Sequence, residues 1–146
     1  MRMPHLNPKN ETLNSPRTSI ADKMSRHQQK RRAEVTTLLL EPKVSDLILD
    51  IGCGDGSITK YFSRYALHTV GLDISLKLLK EARSKLDSGK VSLVLGEATK
   101  LPFRFSCFNR VVVLEVLEHL PSPRLCLREV NRCNKKGGLV IISVPY

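Results

Sequence analysis

Short apolar runs closed by glycine or aspartate recur from Asp46 onward, and polar stretches with helical spacing separate them. Asp46–Ile51 predicts a strand that stops at Gly52, and Ser57–Tyr65 a helix. His68–Leu72 predicts a second strand, closed by Asp73. Ser75–Leu86 predicts a helix with Ser75 as its cap, and its apolar positions Leu76, Leu79, Ala82 and Leu86 lie on one face. Val91–Leu95 and Arg110–Leu114 predict the third and fourth strands. Pro123–Cys133 predicts a helix that ends near Gly137–Gly138, and Leu139–Val144 the fifth strand. Upstream, residues 20–41 contain no glycine or proline, and Val35, Leu38, Leu39 and Leu40 thicken toward the end. They predict an N-terminal helix stopped by Pro42. Residues 1–19 hold Pro4, Pro8 and Pro16 among Asn, Ser and Thr, and predict a disordered basic arm.

Strands that are apolar on both faces and alternate with helices require a parallel sheet covered on both sides. The expected class is α/β, a Rossmann-like doubly wound sheet in a single core over residues 20–146. The chain has 146 residues, 41% hydrophobic and 26% charged, which suits one soluble domain. No apolar run reaches membrane-spanning length, and the N-terminus lacks the apolar core of a secretory signal. Aromatic residues make up 5% and Trp is absent, against a base-stacking platform for single strands. None of the four cysteines forms a CxxC pair, so reduced thiols and a cytoplasmic location are expected. The net charge is +10, and half of this excess lies within residues 1–34. Such a segment suits a solvated tail or contact with nucleic acid, RNA included, or anionic lipid.

The segment Leu49-Asp50-Ile51-Gly52-Cys53-Gly54-Asp55-Gly56-Ser57 follows a strand and opens a helix, where a ligand would sit at the carboxyl end of a parallel sheet. Glycines permit positive φ and close backbone approach. A dinucleotide fingerprint needs glycine where Ser57 stands, and a phosphate loop needs a terminal Gly-Lys. With no basic side chain inside the loop and Asp50 and Asp55 beside it, a cationic ligand is favoured over a pyrophosphate. Asp73, at the end of the next strand, can accept both hydroxyls of a ribose or cap the following helix.

With these motifs the chain resembles the class I S-adenosylmethionine-dependent methyltransferases of the small-molecule type, with a GCGxG loop. The resemblance runs from about Leu47 to Tyr146. It takes in the glycine loop, Asp73, Gly96-Glu97-Ala98-Thr99-Lys100-Leu101-Pro102-Phe103, Val113–Leu120, and the final helix and strand. It implies S-adenosyl-L-methionine as cofactor, with Asp50, Gly52 and Gly54 on its methionine part, Asp73 on its ribose, and Glu97 where the family usually has an adenine-contacting aspartate. The full implied site is Asp50, Gly52, Cys53, Gly54, Asp73, Ile74, Glu97, Ala98, Leu114 and Glu115. The family fold has seven strands. The five present here imply the order 3-2-1-4-5, a sheet C-terminally incomplete relative to the family, and an exposed fifth strand open to self-association.

Glu115, Glu118 and His119 follow the fourth strand. If that segment is helical they share a face, and two carboxylates with an imidazole make most of a divalent-metal site. The same pattern resembles metal-using branches of the family that act on ubiquinone precursors or on small-RNA ends. Without metal, His119 or Glu118 is the candidate catalytic base. The expected activity is methyl transfer to an oxygen or nitrogen, with a small molecule as acceptor. The alternatives are an RNA methyltransferase with that metal site and a non-catalytic cofactor-binding module. No [DNS]PP[YF] follows the fourth strand, against DNA amino-methylation.

Overall fold

The computed structural model describes residues 20–145, with side chains from Ser25 onward. The arm expected over residues 1–19 lies outside the described residues. Five strands form one wholly parallel sheet in the order β3-β2-β1-β4-β5. They are β1 (Leu47–Ile51), β2 (His68–Asp73), β3 (Val91–Leu95), β4 (Phe108–Leu114) and β5 (Asn134–Ser143). The helices are α1 (Ile20–Leu40), α2 (Thr59–Phe62), α3 (Leu76–Lys85) and α4 (Pro123–Cys133). No helix among the described residues is long and apolar enough to cross a membrane.

Two-residue alternation along the central strands gives each face of the sheet its own core. Leu49, Ile51, Val111 and Val113 point to one side, where α4 supplies Cys126, Val130 and Cys133. These three α4 positions follow the spacing i, i+4, i+7, and all three are buried. Ile48 and Val112 point to the other side and meet Leu40 of α1, Phe62 of α2 and Ala66. Asp50 shares this second face by parity with Ile48, so its carboxylate is turned toward α1 and α2. At the opposite end of the sheet, Asp46 receives Arg110 Nε at 2.6 Å and the Lys43 amide at 2.8 Å, which fixes the entry to β1.

Three boundaries differ from expectation. The helix expected over Ser57–Tyr65 becomes α helix only at Thr59 and tightens to a 3-10 turn over Ser63–Tyr65. Ser57 is spent in a turn, its amide and hydroxyl both bonded to Asp55 at 3.1 and 2.8 Å. The fifth strand begins at Asn134, well before Leu139, because Asn134 pairs with Phe108. The ladder then bulges before resuming at Arg110 and Leu139. The third correction concerns Glu115. It does not start a helix: it sits at φ 52°, its amide is bonded to Ser143 O at 2.9 Å, and only Leu117–His119 form a 3-10 turn.

Candidate functional site

The loops after β1, β2, β3 and β4 converge at the carboxyl end of the sheet, where the strand order reverses between β1 and β4. The first loop is held against β2. Gly52 and Cys53 both donate their amides to Leu72 O, at 2.7 and 3.1 Å. Gly52 and Gly54 have φ of 72° and 55°, in the left-handed region that favours glycine. A Cβ on Gly52 would stand 2.3 Å from Val116 Cγ2, whereas one on Gly54 would project into open space. Asp73 closes the arrangement, accepting the Gly54 amide on Oδ2 and the Ser75 amide on Oδ1, each at 2.8 Å.

Two cavities adjoin across Gly52. The larger, about 530 Å³, lies over β2 and β3 and is bordered by Asp73, Ile74, Glu97, Ala98, Glu115 and His119. The smaller, about 160 Å³, lies under α1 between Asp50, Cys53, Gly54, Ser57 and Leu114. All ten cofactor positions expected from sequence line one or other of these cavities.

The glycine-loop wall of the smaller cavity is acidic. Burial pushes the Asp50 carboxyl up to about 7; a 2.6 Å hydrogen bond from Thr59 Oγ1 opposes the shift, and the charge of Asp73 adds to it. Burial, followed by the charges of Asp50 and Asp73, also pushes the Cys53 thiol well up, so it remains neutral and unreactive. Asp55, at the rim, is paired with Lys85 of α3.

The helical face expected to unite Glu115, Glu118 and His119 is absent, because Glu115 is turned away by its left-handed backbone. Its carboxylate is engaged by Arg32 of α1, with Nη1 at 2.8 Å from Oε2 and Nη2 close to Oε1. Glu118 lies beside His119 at 3.9 Å, and the His119 side chain is mostly exposed at the rim of the larger cavity. Among the described residues no three His, Cys, Asp or Glu side chains come together as a metal-holding group. The donor set does not fit the metal expected from the spacing.

Sequence reasoning misses Arg32 and Gln29, which line the smaller cavity from α1. A partial signal exists: Gln29, Ala33, Thr36 and Leu40 recur at helical spacing, and the last three are buried. Arg32 borders that face.

Residues 49–142 match the family described as "Methyltransferase domain". The chain belongs to this methyltransferase family. The chain is 36% identical over 116 residues to an uncharacterized methyltransferase of Schizosaccharomyces pombe, covering 72% of the chain and 42% of the relative. It is 34% identical over 118 residues to a demethylmenaquinone methyltransferase of Thermotoga maritima, covering 79% and 50%. Among solved structures, an S-adenosylmethionine-dependent methyltransferase from Mesorhizobium loti shares the fold with a TM-score of 0.71 at 23% identity, covering 81% and 56%. The chain spans about half the length of the curated relatives it matches.

Proposed function

We propose that this chain binds S-adenosyl-L-methionine across the two cavities and supports methyl transfer to an oxygen or nitrogen of a small molecule. The observation that carries the reading is the pair of carboxylates at the ends of adjacent strands. Asp50 faces the smaller cavity from β1, and Asp73 borders the larger one from β2. A zwitterionic, sulfonium-bearing ligand with a ribose matches that division. Asp50 provides negative charge on the side of the ammonium and sulfonium. Asp73, whose two oxygens each accept one backbone amide, keeps lone pairs for the ribose hydroxyls. The open space above Gly54 admits close approach of the methionine part, and Glu97 with Ala98 borders the space left for the adenine.

The bound cofactor supplies an electrophilic methyl group, and the protein's part is to align the acceptor with it and exclude water. His119, at the mouth of the larger cavity beside Leu120 and Ser122, is the group placed to take a proton from an acceptor hydroxyl or amine. The apolar rim formed by Val116, Leu120, Pro121 and Leu125 suits a largely apolar acceptor. The resemblance to a demethylmenaquinone methyltransferase supports that class.

Calorimetric titration with S-adenosylmethionine and S-adenosylhomocysteine tests the reading. Binding by the wild-type chain that is lost in Asp73→Ala supports it. A folded chain that binds neither compound overturns it.

A further inference from the structure

Two of the four cysteines meet where α4 ends and β4 begins. The loop before β4 turns back at Ser106, which has a φ of 54°. Ser106 donates its amide to Arg132 O at 2.8 Å, and Cys107 donates its amide to Cys133 O at 2.9 Å. A backbone hydrogen bond between two residues holds their α-carbons about 5–6 Å apart, within the span of a disulfide. Both side chains belong to one apolar cluster, with Cys133 fully buried and Cys107 half-buried against it. The Cys107 thiol donates to Arg104 O at 3.1 Å in an exposed bond. The Arg132 guanidinium lies near enough to both thiols for their charges to interact. Cys126 precedes Cys133 by seven residues on α4, roughly 10 Å along the helix and too far to pair with it. Cys53 lies in the glycine loop, at the opposite end of the sheet.

We propose that Cys107 and Cys133 form a redox site that closes to a disulfide when the chain meets a peroxide. Hydrogen peroxide reaches Cys107 first, because Cys133 is enclosed. The Cys107 sulfur attacks one peroxide oxygen, the O–O bond breaks, and water leaves with the thiol proton. Cys107 is then a sulfenic acid. The Cys133 sulfur attacks Cys107 Sγ, the S–O bond breaks, and a second water carries away the Cys133 proton. The two sulfurs lose two electrons and the peroxide gains them. Burial pushes the Cys133 thiol up, and the charge of Arg132 opposes that shift. The cation therefore favours the thiolate that the second step needs. The backbone bonds hold the two residues together before the oxidant arrives, so closure costs little chain freedom. The bridge clips the loop that follows Leu101 and Phe103 to the junction of α4 and β5, and it leaves Asp50, Asp73 and the glycine loop untouched.

The test treats the purified chain with a small excess of hydrogen peroxide, blocks the remaining thiols with iodoacetamide and maps the tryptic peptides by mass. The expected product is an internal link between the peptides Phe105–Arg110 and Cys133–Lys135, which dithiothreitol removes. The bridged chain should melt about 5–10 °C above the reduced chain, because the bond closes a long loop. Cys107→Ser, a change at the half-buried partner, should form no such link and show no such rise. Thiols that both stay free after treatment overturn the proposal. So does a Cys107 that runs on to sulfinic acid, joins two chains, or pairs with Cys53 or Cys126. A bridged chain that melts below the reduced one overturns it as well.

Discussion

The Oδ2 atom of Asp73, at the end of β2, accepts the backbone amide of Gly54 in the loop after β1 at 2.8 Å. Two segments that lie nineteen residues apart in the chain are thus joined by a side chain, and the same carboxylate also receives Ser75 N. Asp73 therefore has a structural task before any ligand binds. The isosteric Asp73→Asn has one acceptor oxygen and one donor nitrogen, so one of the two amides must face an N–H. The expected cost is about 1–3 kcal/mol of stability, because Asp73 is 8% exposed and its partners are held in place. Asp73→Asn should also bind S-adenosylhomocysteine at least tenfold more weakly. Thermal unfolding and calorimetry check the two effects, and unchanged stability would show that the two amides find other acceptors.

The two loop glycines should respond differently to the same substitution. Gly52→Ala places a methyl 2.3 Å from Val116 Cγ2 at a φ of +72°, so it combines overpacking with backbone strain. A loss of about 2–4 kcal/mol is expected, with displacement of Val116 and the neighbouring Glu115. Gly54→Ala meets nothing within 4 Å and carries only the strain of φ +55°, about 1–2 kcal/mol. Its methyl enters the space proposed for the ligand, so affinity should fall further than stability. A Gly54→Ala variant that binds normally would move the ligand away from the loop.

Central elements are legible in the sequence because they are locally determined. β1, β2 and β4 are nearly continuous apolar runs closed by Gly52, Asp73 and Glu115, and α3 carries its cap at Ser75 and its buried positions at Leu79 and Ala82. All ten expected cofactor positions line the two cavities, because a strand end followed by glycines or an acid specifies its place in a parallel sheet. What escapes depends on distant partners. Asn134-Lys135-Lys136-Gly137-Gly138 has no strand character of its own and is drawn into β5 by the Asn134–Phe108 pairing. Glu115 lies three and four residues from Glu118 and His119, a spacing that suggests a shared helical face. Its amide instead extends the β4–β5 ladder to Ser143, and the backbone turns left-handed. Arg32 carries no motif at all, and its place is set by how α1 docks.

Asp50 makes stability and binding depend on pH in opposite directions. Its carboxyl is pushed up to about 7 by burial, so between about pH 4 and pH 7 the folded chain holds a proton that the unfolded chain has lost. This contribution is full below pH 4 and disappears as the pH rises through 7, amounting to a few kcal/mol at most. A cationic ligand favours the ionised form, so its affinity should rise through the same window, approaching tenfold per pH unit on the acid side. Asp50→Asn should be more stable than wild type at pH 8 and lose both trends. Denaturant titrations and calorimetry from pH 5 to 8.5 measure them, and parallel pH profiles for wild type and Asp50→Asn would refute the role given to Asp50.

The segment that follows the Gly96–Thr99 wall of the larger cavity is fastened to α4. Glu129 of α4 accepts the Leu101 amide at 2.8 Å, and Arg132 donates to Phe103 O at 2.7 Å and to Leu101 O at 3.0 Å while also pairing with Glu129. Hydrogen bonds from Arg132 hold the Glu129 carboxyl below its ordinary range, with burial opposing. Glu129→Ala removes the acceptor of Leu101 and the partner of Arg132 together. The expected result is faster hydrogen exchange at Leu101 and a several-fold weaker S-adenosylhomocysteine affinity, with exchange at Gly54 unchanged. Slowed or unaltered exchange at Leu101 would mean that the apolar packing of Leu101 and Phe103 is enough to hold the loop.

The outer edge of β5 is unpaired among the described residues and should govern how this chain associates. One side of β5 pairs with β4, and the other bonds no strand among the described residues. Ile142 and Val144 are 42% and 58% exposed there, and Leu38 and Leu39 on α1 are more exposed still. An apolar strand edge beside an apolar helix surface is a template for a second chain. Sedimentation of the purified chain should show concentration-dependent dimers or larger species at micromolar protein. Ile142→Lys puts a charge on this surface at a half-exposed position, and should shift the distribution toward monomer with little change in unfolding temperature. A wild-type chain that stays monomeric across the whole range would show that side-chain packing against α1 already shields the edge.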